Sequence, residues 1–419
     1  MILFYRFLIT TLFLILIYIV YRSEIYWEGK LRNVYLIYYI VTLLVIFFSI
    51  IVTLFNEKIK KYLTIIFISI IFSFYFFELS LIYDKKKTNP KFYDNRTRFE
   101  FYEHLKKNNL NVTITTPPAN FLYFQKEMVF FSFSGISKTK TINCNENGYF
   151  STYQSDRYGF NNPDKEWDSK EVEYFLVGDS FTHGACVNSP NDIASVLRRY
   201  SNKNVLNLGY GGNGPLIEYA TLREYLKTNT KNVLWLYFEK NDLTDLEIEL
   251  KNNILIKYLA NIKFTQDLKF KQTQVDQFLS TYVEIERKRE GNFYLEIINF
   301  IKLVKIRSLL IKPQPPPLPP PEFKTILKLA NELVGSNSGK LYFIYLPDYN
   351  RYTKHPKVTY NKQQIKKIVS DLNIEFIDID EEVFKKVKNP LKFFPFESDG
   401  HYNVEGYKKV ALKIYERTK

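Results

Sequence analysis

The first part of the chain is almost wholly apolar, whereas the rest alternates short apolar runs with amphipathic stretches. Three apolar runs lie near the N-terminus, over Phe7–Tyr21, Val34–Phe55 and Tyr62–Tyr83. Their lengths are close to the ~20 residues that cross the hydrocarbon core of a bilayer. We therefore predict three transmembrane helices in residues 1–83. A cleaved signal peptide is the alternative for the first run, but it has no basic leader and no small-residue cleavage motif before Arg22, so we expect it to be retained.

Polar residues mark the end of the third apolar run. Glu78 lies close to the expected membrane interface, which favours a solvated carboxylate over a functional intramembrane acid. Residues 84–165 are polar and contain only short β-like pieces. We therefore predict a polar connector with short strands over 84–165.

From about residue 166 onward, strand-like runs alternate with helical ones. The predicted strands are Val172–Val177, Val205–Leu208, Val233–Phe238, Leu341–Leu346 and Ile374–Ile379. The predicted helices are Asp192–Tyr200, Leu216–Leu226, Phe323–Val334, Lys362–Leu372 and Val404–Arg417. Such alternation predicts a parallel sheet with right-handed crossovers and helices on both faces. We expect an α/β fold, a flavodoxin-like three-layer domain with a five-stranded parallel sheet, over 166–419.

A long insertion, about residues 243–322, separates the third and fourth predicted strands. It contains helical pieces at Phe278–Glu290 and Phe293–Leu310, followed by the Pro-rich run Pro313–Pro321. A run of this composition favours a stiff polyproline II spacer. Because the insertion follows the carboxyl end of a strand, it either arches over a site as a lid or packs aside.

Composition changes this picture little. The net charge of +14 would suit an anionic partner, but the lysines are scattered, so we predict no nucleic-acid partner and leave protein partners open. The two cysteines, Cys144 and Cys186, allow a single disulfide. They give no metal-ligand spacing, so we predict no metal site.

Polar residues with chemical potential follow the predicted strands at four places. They are Gly178–Ser180 after the first strand, Asn207–Gly214 after the second, Glu239–Asp242 after the third, and Asp399–His401 before the last helix. Open α/β sheets bind ligands at the carboxyl ends of their strands, so we expect these blocks at one edge. A hydroxyl, an imidazole near a carboxylate, and amide donors are the parts of nucleophilic acyl chemistry. A turn or a helix cap is the structural alternative for each block.

The order of the four blocks resembles the SGNH (GDSL-type) hydrolase superfamily, over roughly residues 166–419. The resemblance implies that Ser180 is the nucleophile and His401 the base that takes its proton. It implies that Asp399 fixes the imidazole tautomer and stabilises its cationic form. Asp399 lies two rather than three residues before His401, a spacing that also occurs in the superfamily, particularly among polysaccharide O-acetylation proteins. No cofactor is implied.

The resemblance also implies an oxyanion hole. Its donors would be the backbone amides of Ser180 and Gly212 and the side-chain amide of Asn241. Glu239 stands where many members have Gly, so we expect an extra acid at the substrate rim. His183 lies three residues after the nucleophile, and we assign it a rim or structural role.

These inferences lead to a membrane-anchored serine esterase that works through an acyl-enzyme, with an ester such as O-acetyl on a cell-envelope carbohydrate as substrate. One alternative is an O-acyltransferase that moves an acetyl group onto a polysaccharide. Another is a non-catalytic, membrane-tethered glycan-binding protein. The expected partners are the membrane lipid bilayer and a carbohydrate or other acyl-ester substrate. An envelope substrate predicts a multi-pass protein of the cell (inner) membrane with an extracytoplasmic catalytic domain, although the basic residues of the loops mildly favour the opposite orientation.

Overall fold

The computed structural model describes residues 2–27, 29, 32–87, 90, 92–108, 111–122, 130–290, 293–310, 315–354 and 360–419. The contacts divide the chain into two compact units. We call Met1–Lys87 with Glu296–Leu310 the first unit, and Thr88–Leu295 with Ile311–Lys419 the second unit.

Helices and strands are numbered here in chain order. The helices are α1 (Ile2–Val20), α2 (Arg32–Thr53), α3 (Glu57–Lys87), α4 (Arg98–Lys107), α5 (Ser180–His183), α6 (Ile193–Ser201), α7 (Pro215–Tyr225), α8 (Asp242–Glu249), α9 (Leu255–Ala260), α10 (Gln272–Arg289), α11 (Phe293–Ile301), α12 (Val304–Leu310), α13 (Pro321–Ser336), α14 (Lys362–Asp371), α15 (Ile379–Glu382) and α16 (Val404–Thr418). The strands are β1 (Val112–Ile114), β2 (Lys140–Ile142), β3 (Thr152–Gln154), β4 (Val172–Gly178), β5 (Val205–Asn207), β6 (Thr230–Phe238), β7 (Lys340–Leu346) and β8 (Glu375–Asp378).

The first unit contains three helices that are long and apolar enough to cross a membrane. The candidate spans are Leu3–Tyr26, Tyr35–Thr53 and Glu57–Tyr83, of 24, 19 and 27 residues. Large apolar side chains such as Phe7 and Phe72 are exposed on their outer faces. Apolar surface of this extent is unfavourable in water, at about 25 cal/mol per Å². The three predicted apolar helices are therefore confirmed.

The surroundings of Glu78 differ from the solvated carboxylate that we predicted. Its side chain is only 1% exposed, and its two carboxylate oxygens accept hydrogen bonds from the backbone N–H groups of Lys305 and Ile306, each at 2.8 Å. These two peptide groups replace the water that we expected around the carboxylate.

The second unit is built on a five-stranded, all-parallel sheet of order β5-β4-β6-β7-β8. Side chains alternate across it: Tyr174 and Leu176 of β4 join a core with α6 and α16. Their neighbours Phe175 and Val177 join the core formed with α7, α13 and α14 on the other face. Because successive residues of a strand point to opposite faces, a run buried on both sides is continuously apolar. The predicted α/β three-layer fold is confirmed.

Residues of the predicted connector add a smaller sheet to the second unit. Strand β1 pairs parallel with β2, and β2 pairs antiparallel with β3. Helix α4 leads into this sheet and begins with a capping box, in which Thr97 and Glu100 bond each other's backbone N–H groups.

The long insertion is divided between the two units. Val275 and Leu279 of α10 are buried in the core of the second unit, whereas the segment from Glu296 to Leu310 belongs to the first. The predicted Pro-rich run begins outside the described residues, which resume at Pro315, and its last residue, Pro321, begins α13.

Candidate active site

A sharp turn between β4 and α5 presents Ser180. Gly178 has φ +157°, and a Cβ there would lie 2.0 Å from Thr182 Oγ1, so a larger residue does not fit. Asp179 caps the helix by accepting a hydrogen bond from the Phe181 N–H at 2.8 Å. The turn places the Ser180 hydroxyl at the carboxyl end of a central strand, as the sequence predicts.

The Ser180 hydroxyl, an imidazole and a carboxylate form a continuous chain of hydrogen bonds. His401 Nε2 lies 2.8 Å from Ser180 Oγ. On the other side of the ring, Nδ1 lies 3.0 and 3.1 Å from the two carboxylate oxygens of Glu146. Because a carboxylate only accepts, this network assigns the ring proton to Nδ1 and leaves Nε2 to accept from the hydroxyl.

Glu146 is held in its charged form. Its carboxylate also accepts the backbone N–H of His401 at 2.6 Å. Burial acts to raise the pKa of Glu146, but the hydrogen bonds and charge of His401 outweigh burial and lower that pKa below its usual value. The imidazole therefore faces a carboxylate able to stabilise a positive charge on the ring.

Several contacts fix these side chains in place. The imidazole packs on the Phe181 ring, with centroids 4.8 Å apart, and Asn403 caps α16 directly after it by accepting from the Gly406 N–H. A disulfide joins Cys144 to Cys186. It ties the segment that carries Glu146 to the segment that follows α5.

Asp399 does not occupy the position that we predicted for it. Its side chain is 53% exposed, and its oxygens lie 3.0 and 3.1 Å from Lys240 Nζ. The carboxylate of Glu146 fills the space beside the backbone of residues 400–401, since a Cβ on Gly400 would lie 2.7 Å from Glu146 Oε2. The acid in contact with His401 is thus Glu146.

The glycine turn after β5 lies beside Ser180. The Tyr210 N–H donates to the carbonyl of Gly178 at 3.2 Å, which joins this turn to the turn at the serine. A Cβ built on Gly211 would lie 3.9 Å from Ser180 Cβ, and Gly212 takes a φ of +74°. Gly212, whose backbone N–H is a predicted oxyanion donor, is therefore the chain neighbour of a residue that lies beside the Ser180 side chain.

Asn241 is oriented by a neighbouring acid. It stands at the start of α8, after β6, which runs alongside β4 with Leu236 opposite Gly178. One N–H of its side-chain amide is bound by Asp245, whose pKa burial raises to about 7. A side-chain amide has two N–H groups, so a second donor remains for another acceptor.

His183 and Glu239 do not lie at a substrate rim, and the burial of His183 fits the structural role that was its alternative. His183 is buried and stacks on Tyr210, with centroids 4.6 Å apart, and burial lowers its pKa to about 3, so the ring is neutral. Glu239 is buried and accepts from the Asp348 N–H and from Arg351 Nε, both at 2.8 Å. Both residues therefore pack the loops behind the site.

A group of buried carboxylates lies behind the strand ends. Burial raises the pKa of Asp179 to about 6 and that of Glu249 to about 8. It raises the pKa values of Glu218 and Asp242 well above the usual range. Glu249 is satisfied by the backbone N–H groups at the start of α7, so these acids are built into the fold in neutral or hydrogen-bonded form.

Among the described residues, one group has the spacing of a metal site, formed by Cys144, Cys186 and His401. The two sulfurs are joined to each other, so neither offers the thiolate that metal ions bind. The donor set therefore does not fit a metal ion while the disulfide is formed.

Sequence reasoning missed Glu146 because it lies in the predicted connector, outside the four blocks. The signal that could have found it is the pair of cysteines. Cys144 lies two residues before Glu146, and Cys186 lies six residues after Ser180. A disulfide between these two cysteines places Glu146 close to Ser180.

Solved structures similar to the chain include proteins of the family that the sequence blocks resemble. A protein assigned to the lipolytic G-D-S-L family from Desulfitobacterium hafniense is 16% identical, with a TM-score of 0.33, over 59% of this chain and 100% of that one. A lipolytic G-D-S-L family member from Veillonella parvula is 14% identical, with a TM-score of 0.31, over 58% and 97%. The psychrotrophic esterase EstA from Pseudoalteromonas sp. is 10% identical, with a TM-score of 0.29, over 59% and 96%. No protein-family model and no curated protein matches the chain. These superpositions are loose, with every one of these TM-scores below 0.5.

Proposed function

We propose that the protein is a serine esterase of the SGNH type, with Ser180 as nucleophile, His401 as general base and Glu146 as the acid that orients the imidazole. The observation that carries this proposal is the chain of hydrogen bonds from Ser180 Oγ through the imidazole to Glu146. Nucleophile, base and orienting acid within hydrogen-bond reach are the geometric mark of nucleophilic acyl chemistry.

The first half of the reaction forms an acyl-enzyme. Ser180 Oγ attacks the carbonyl carbon of the ester while its proton passes to His401 Nε2, and Glu146 stabilises the resulting imidazolium. The negative charge of the tetrahedral intermediate falls on the former carbonyl oxygen. The backbone amides of Ser180 and Gly212 and the free amide N–H of Asn241 are its proposed donors. The intermediate then expels the alcohol, which takes the proton from Nε2.

The second half releases the acyl group. A water molecule gives a proton to Nε2 and attacks the acyl carbon, and collapse of the second intermediate returns the proton to Ser180 Oγ. A sugar hydroxyl in place of water would make the same machinery an O-acyltransferase. Analysis of the products with and without an acceptor glycan shows whether water or a sugar hydroxyl takes the acyl group.

For substrate and location, we propose an O-acetyl ester of an envelope carbohydrate, with the site on the extracytoplasmic side of the cell membrane. Three helices apolar enough to cross a bilayer support a membrane anchor. The Cys144–Cys186 disulfide supports an oxidising compartment, because disulfides are rare in the reducing cytosol. A reporter fused after Lys419 tests the orientation, and activity of that reporter only in the cytoplasm would overturn it.

The experiment that tests the catalytic proposal is labelling of the full-length protein with a serine-directed phosphonate. We expect one label per chain, lost in Ser180→Ala together with hydrolysis of short-chain aryl esters. Ser189→Ala, which removes another serine hydroxyl after α5, is the matched control and should label normally. Full esterase activity in Ser180→Ala would show that another group is the nucleophile. Binding of glycan without labelling of the wild-type protein would favour the non-catalytic alternative.

A further inference from the structure

A segment of the long insertion joins the apolar helices of the first unit. The chain enters this unit at Glu296 and leaves it at Leu310, and the residues on both sides of the segment belong to the second unit. We call residues 296–310 the returning segment. It comprises most of α11 and all of α12, and the two helices meet at Leu303, which adopts a φ of +51°.

The returning segment is joined to α3 by hydrogen bonds. The Tyr75 hydroxyl donates to the carbonyl of Ile301 at 3.1 Å, and the Tyr75 ring lies 5.2 Å from that of Phe300. Glu78 accepts the backbone N–H groups of Lys305 and Ile306 at the start of α12. A buried carboxylate without such partners would be costly, so these bonds specify where the segment docks.

The outer face of the returning segment is apolar. Ile297, Ile298, Ile301, Val304 and Leu309 are exposed, with Ile301 at 57% and Leu309 at 62%. The candidate span on which the segment docks exposes apolar side chains in the same way, as Phe72 does at 69%. The segment therefore extends an apolar surface that already suits lipid acyl chains.

The length of α11 and the depth of its contacts on α3 show whether the returning segment can span the bilayer. The nine residues of α11 measure about 14 Å at 1.5 Å per residue, whereas the hydrocarbon core is about 30 Å thick. Glu78 and Tyr75 lie five and eight residues before Tyr83, where the candidate span ends, which corresponds to depths of about 8 and 12 Å. Helices that lie in a membrane interface are buried by about 5–10 Å.

We propose that the returning segment is a fourth membrane element, a shallow helical hairpin whose apolar face contacts the lipid leaflet at the Tyr83 end of α3. Both of its ends connect to the second unit, so it enters and leaves the bilayer on one side. Two of its charged residues suit that depth. The exposed Lys302 can reach the headgroups from its long side chain, and the Arg307 guanidinium lies over the Tyr38 ring near the start of the second candidate span, 5.4 Å from the centroid. Its ligand is the acyl-chain and headgroup region of a phospholipid bilayer.

Quenching by spin-labelled lipid tests this proposal on the full-length protein in vesicles. Ile301→Cys is labelled with a small fluorophore without reductant, so that the native disulfide stays closed, and nitroxides are placed near the headgroup or near the chain end. Phe72→Cys is the lipid-exposed reference, and Ile262→Cys, in the second unit and 69% exposed, is the water-exposed reference. We expect quenching at Ile301→Cys of at least about half that at Phe72→Cys, with a larger ratio of shallow to deep quenching, because Phe72 lies eleven residues before Tyr83 and Tyr75, the partner of Ile301, only eight. Quenching no greater than at Ile262→Cys, or a ratio no larger than that at Phe72→Cys, would overturn the proposal.

Amide hydrogen exchange tests the docking separately. Glu78→Leu removes both acceptors of the Lys305 and Ile306 N–H groups, so exchange at these two amides should accelerate by about tenfold or more. Glu57→Leu, a matched change in α3 of an acid that pairs with Lys60, should leave their exchange unchanged. Equal exchange in Glu78→Leu and the wild type would contradict docking through Glu78.

Discussion

At the scale of single residues, the choice between two carboxylates decides how the imidazole works. Glu146 contacts Nδ1, whereas Asp399 pairs with Lys240 at the surface. Exposed ion pairs contribute only about 0–1 kcal/mol. A carboxylate on an active-site imidazole sets the tautomer and stabilises the cation formed in the transition state.

We therefore predict that Glu146→Gln lowers kcat on a short-chain aryl ester by about a hundred- to ten-thousandfold. The Gln amide can donate to Nδ1, and the ring proton then moves to Nε2, where it blocks acceptance of the Ser180 proton. Asp399→Asn is the matched control and should change kcat by less than about fivefold. A larger loss in Asp399→Asn than in Glu146→Gln would return the orienting role to Asp399.

At the scale of elements, the acid reaches the site on a segment that has no long helix or strand of its own. Asn143 to Ser151 form a narrow loop after β2, closed by backbone bonds between Asn143 and Ser151 and between Ser151 and Cys144. The disulfide and a hydrogen bond from Asn147 Nδ2 to the Cys186 carbonyl, at 2.9 Å, hold this loop against the segment after α5.

We predict that reducing the Cys144–Cys186 disulfide lowers both stability and activity. The cysteines are 42 residues apart, and the chain-entropy model gives about 4 kcal/mol for closing a loop of this length. Release of the loop should move kcat toward that of Glu146→Gln. The measurement is esterase activity against increasing reductant, with unfolding followed in parallel.

The double variant Cys144→Ala, Cys186→Ala is the control for this experiment. It should resemble the reduced protein and should not respond to reductant. If the reduced wild type kept full activity, the hydrogen bonds around Asn147 and His401 alone would be sufficient to hold the carboxylate.

At the scale of the whole molecule, the buried acids of the second unit make stability depend on pH. The folded-state pKa values of Asp179, Asp245 and Glu249 are raised to about 6, 7 and 8, whereas the unfolded values are near 4. The folded protein then binds protons more tightly than the unfolded chain. The contribution of these three acids to the free energy of unfolding is therefore fully present below about pH 4. It is lost as the pH rises toward 8.

We predict a higher Tm at pH 5 than at pH 8. Each group contributes a slope of up to about 1.4 kcal/mol per pH unit within its own window. The measurement is thermal unfolding followed by the fluorescence of Trp167 and Trp235, which lie in the core of the second unit. Glu249→Gln, which removes one titrating group but keeps an acceptor oxygen, should flatten the decline between pH 5 and 8. A Tm that rises over this range would contradict the prediction.

The sequence predicts the sheet and its order of elements well, because the alternation of apolar runs is a local signal. β4 and β6 are apolar on both faces, and a turn residue such as Gly178 marks the strand end. Ser180 and His401 could be found in the same way, since each stands at an element boundary. Glu146 could be found only by assuming that Cys144 pairs with Cys186, because its position depends on the packing of residues far apart in the chain and on a disulfide that spacing alone does not establish.

The source of Glu146 has a consequence for recombination. The hydroxyl and the imidazole come from residues 166–419, but the carboxylate that touches the imidazole is encoded upstream of that range. A chimera that exchanged only the large sheet would combine the hydroxyl and imidazole of one parent with the carboxylate of the other. In domain shuffling of this protein, the exchanged segment must therefore begin before β1, so that the small and the large sheet are transferred together.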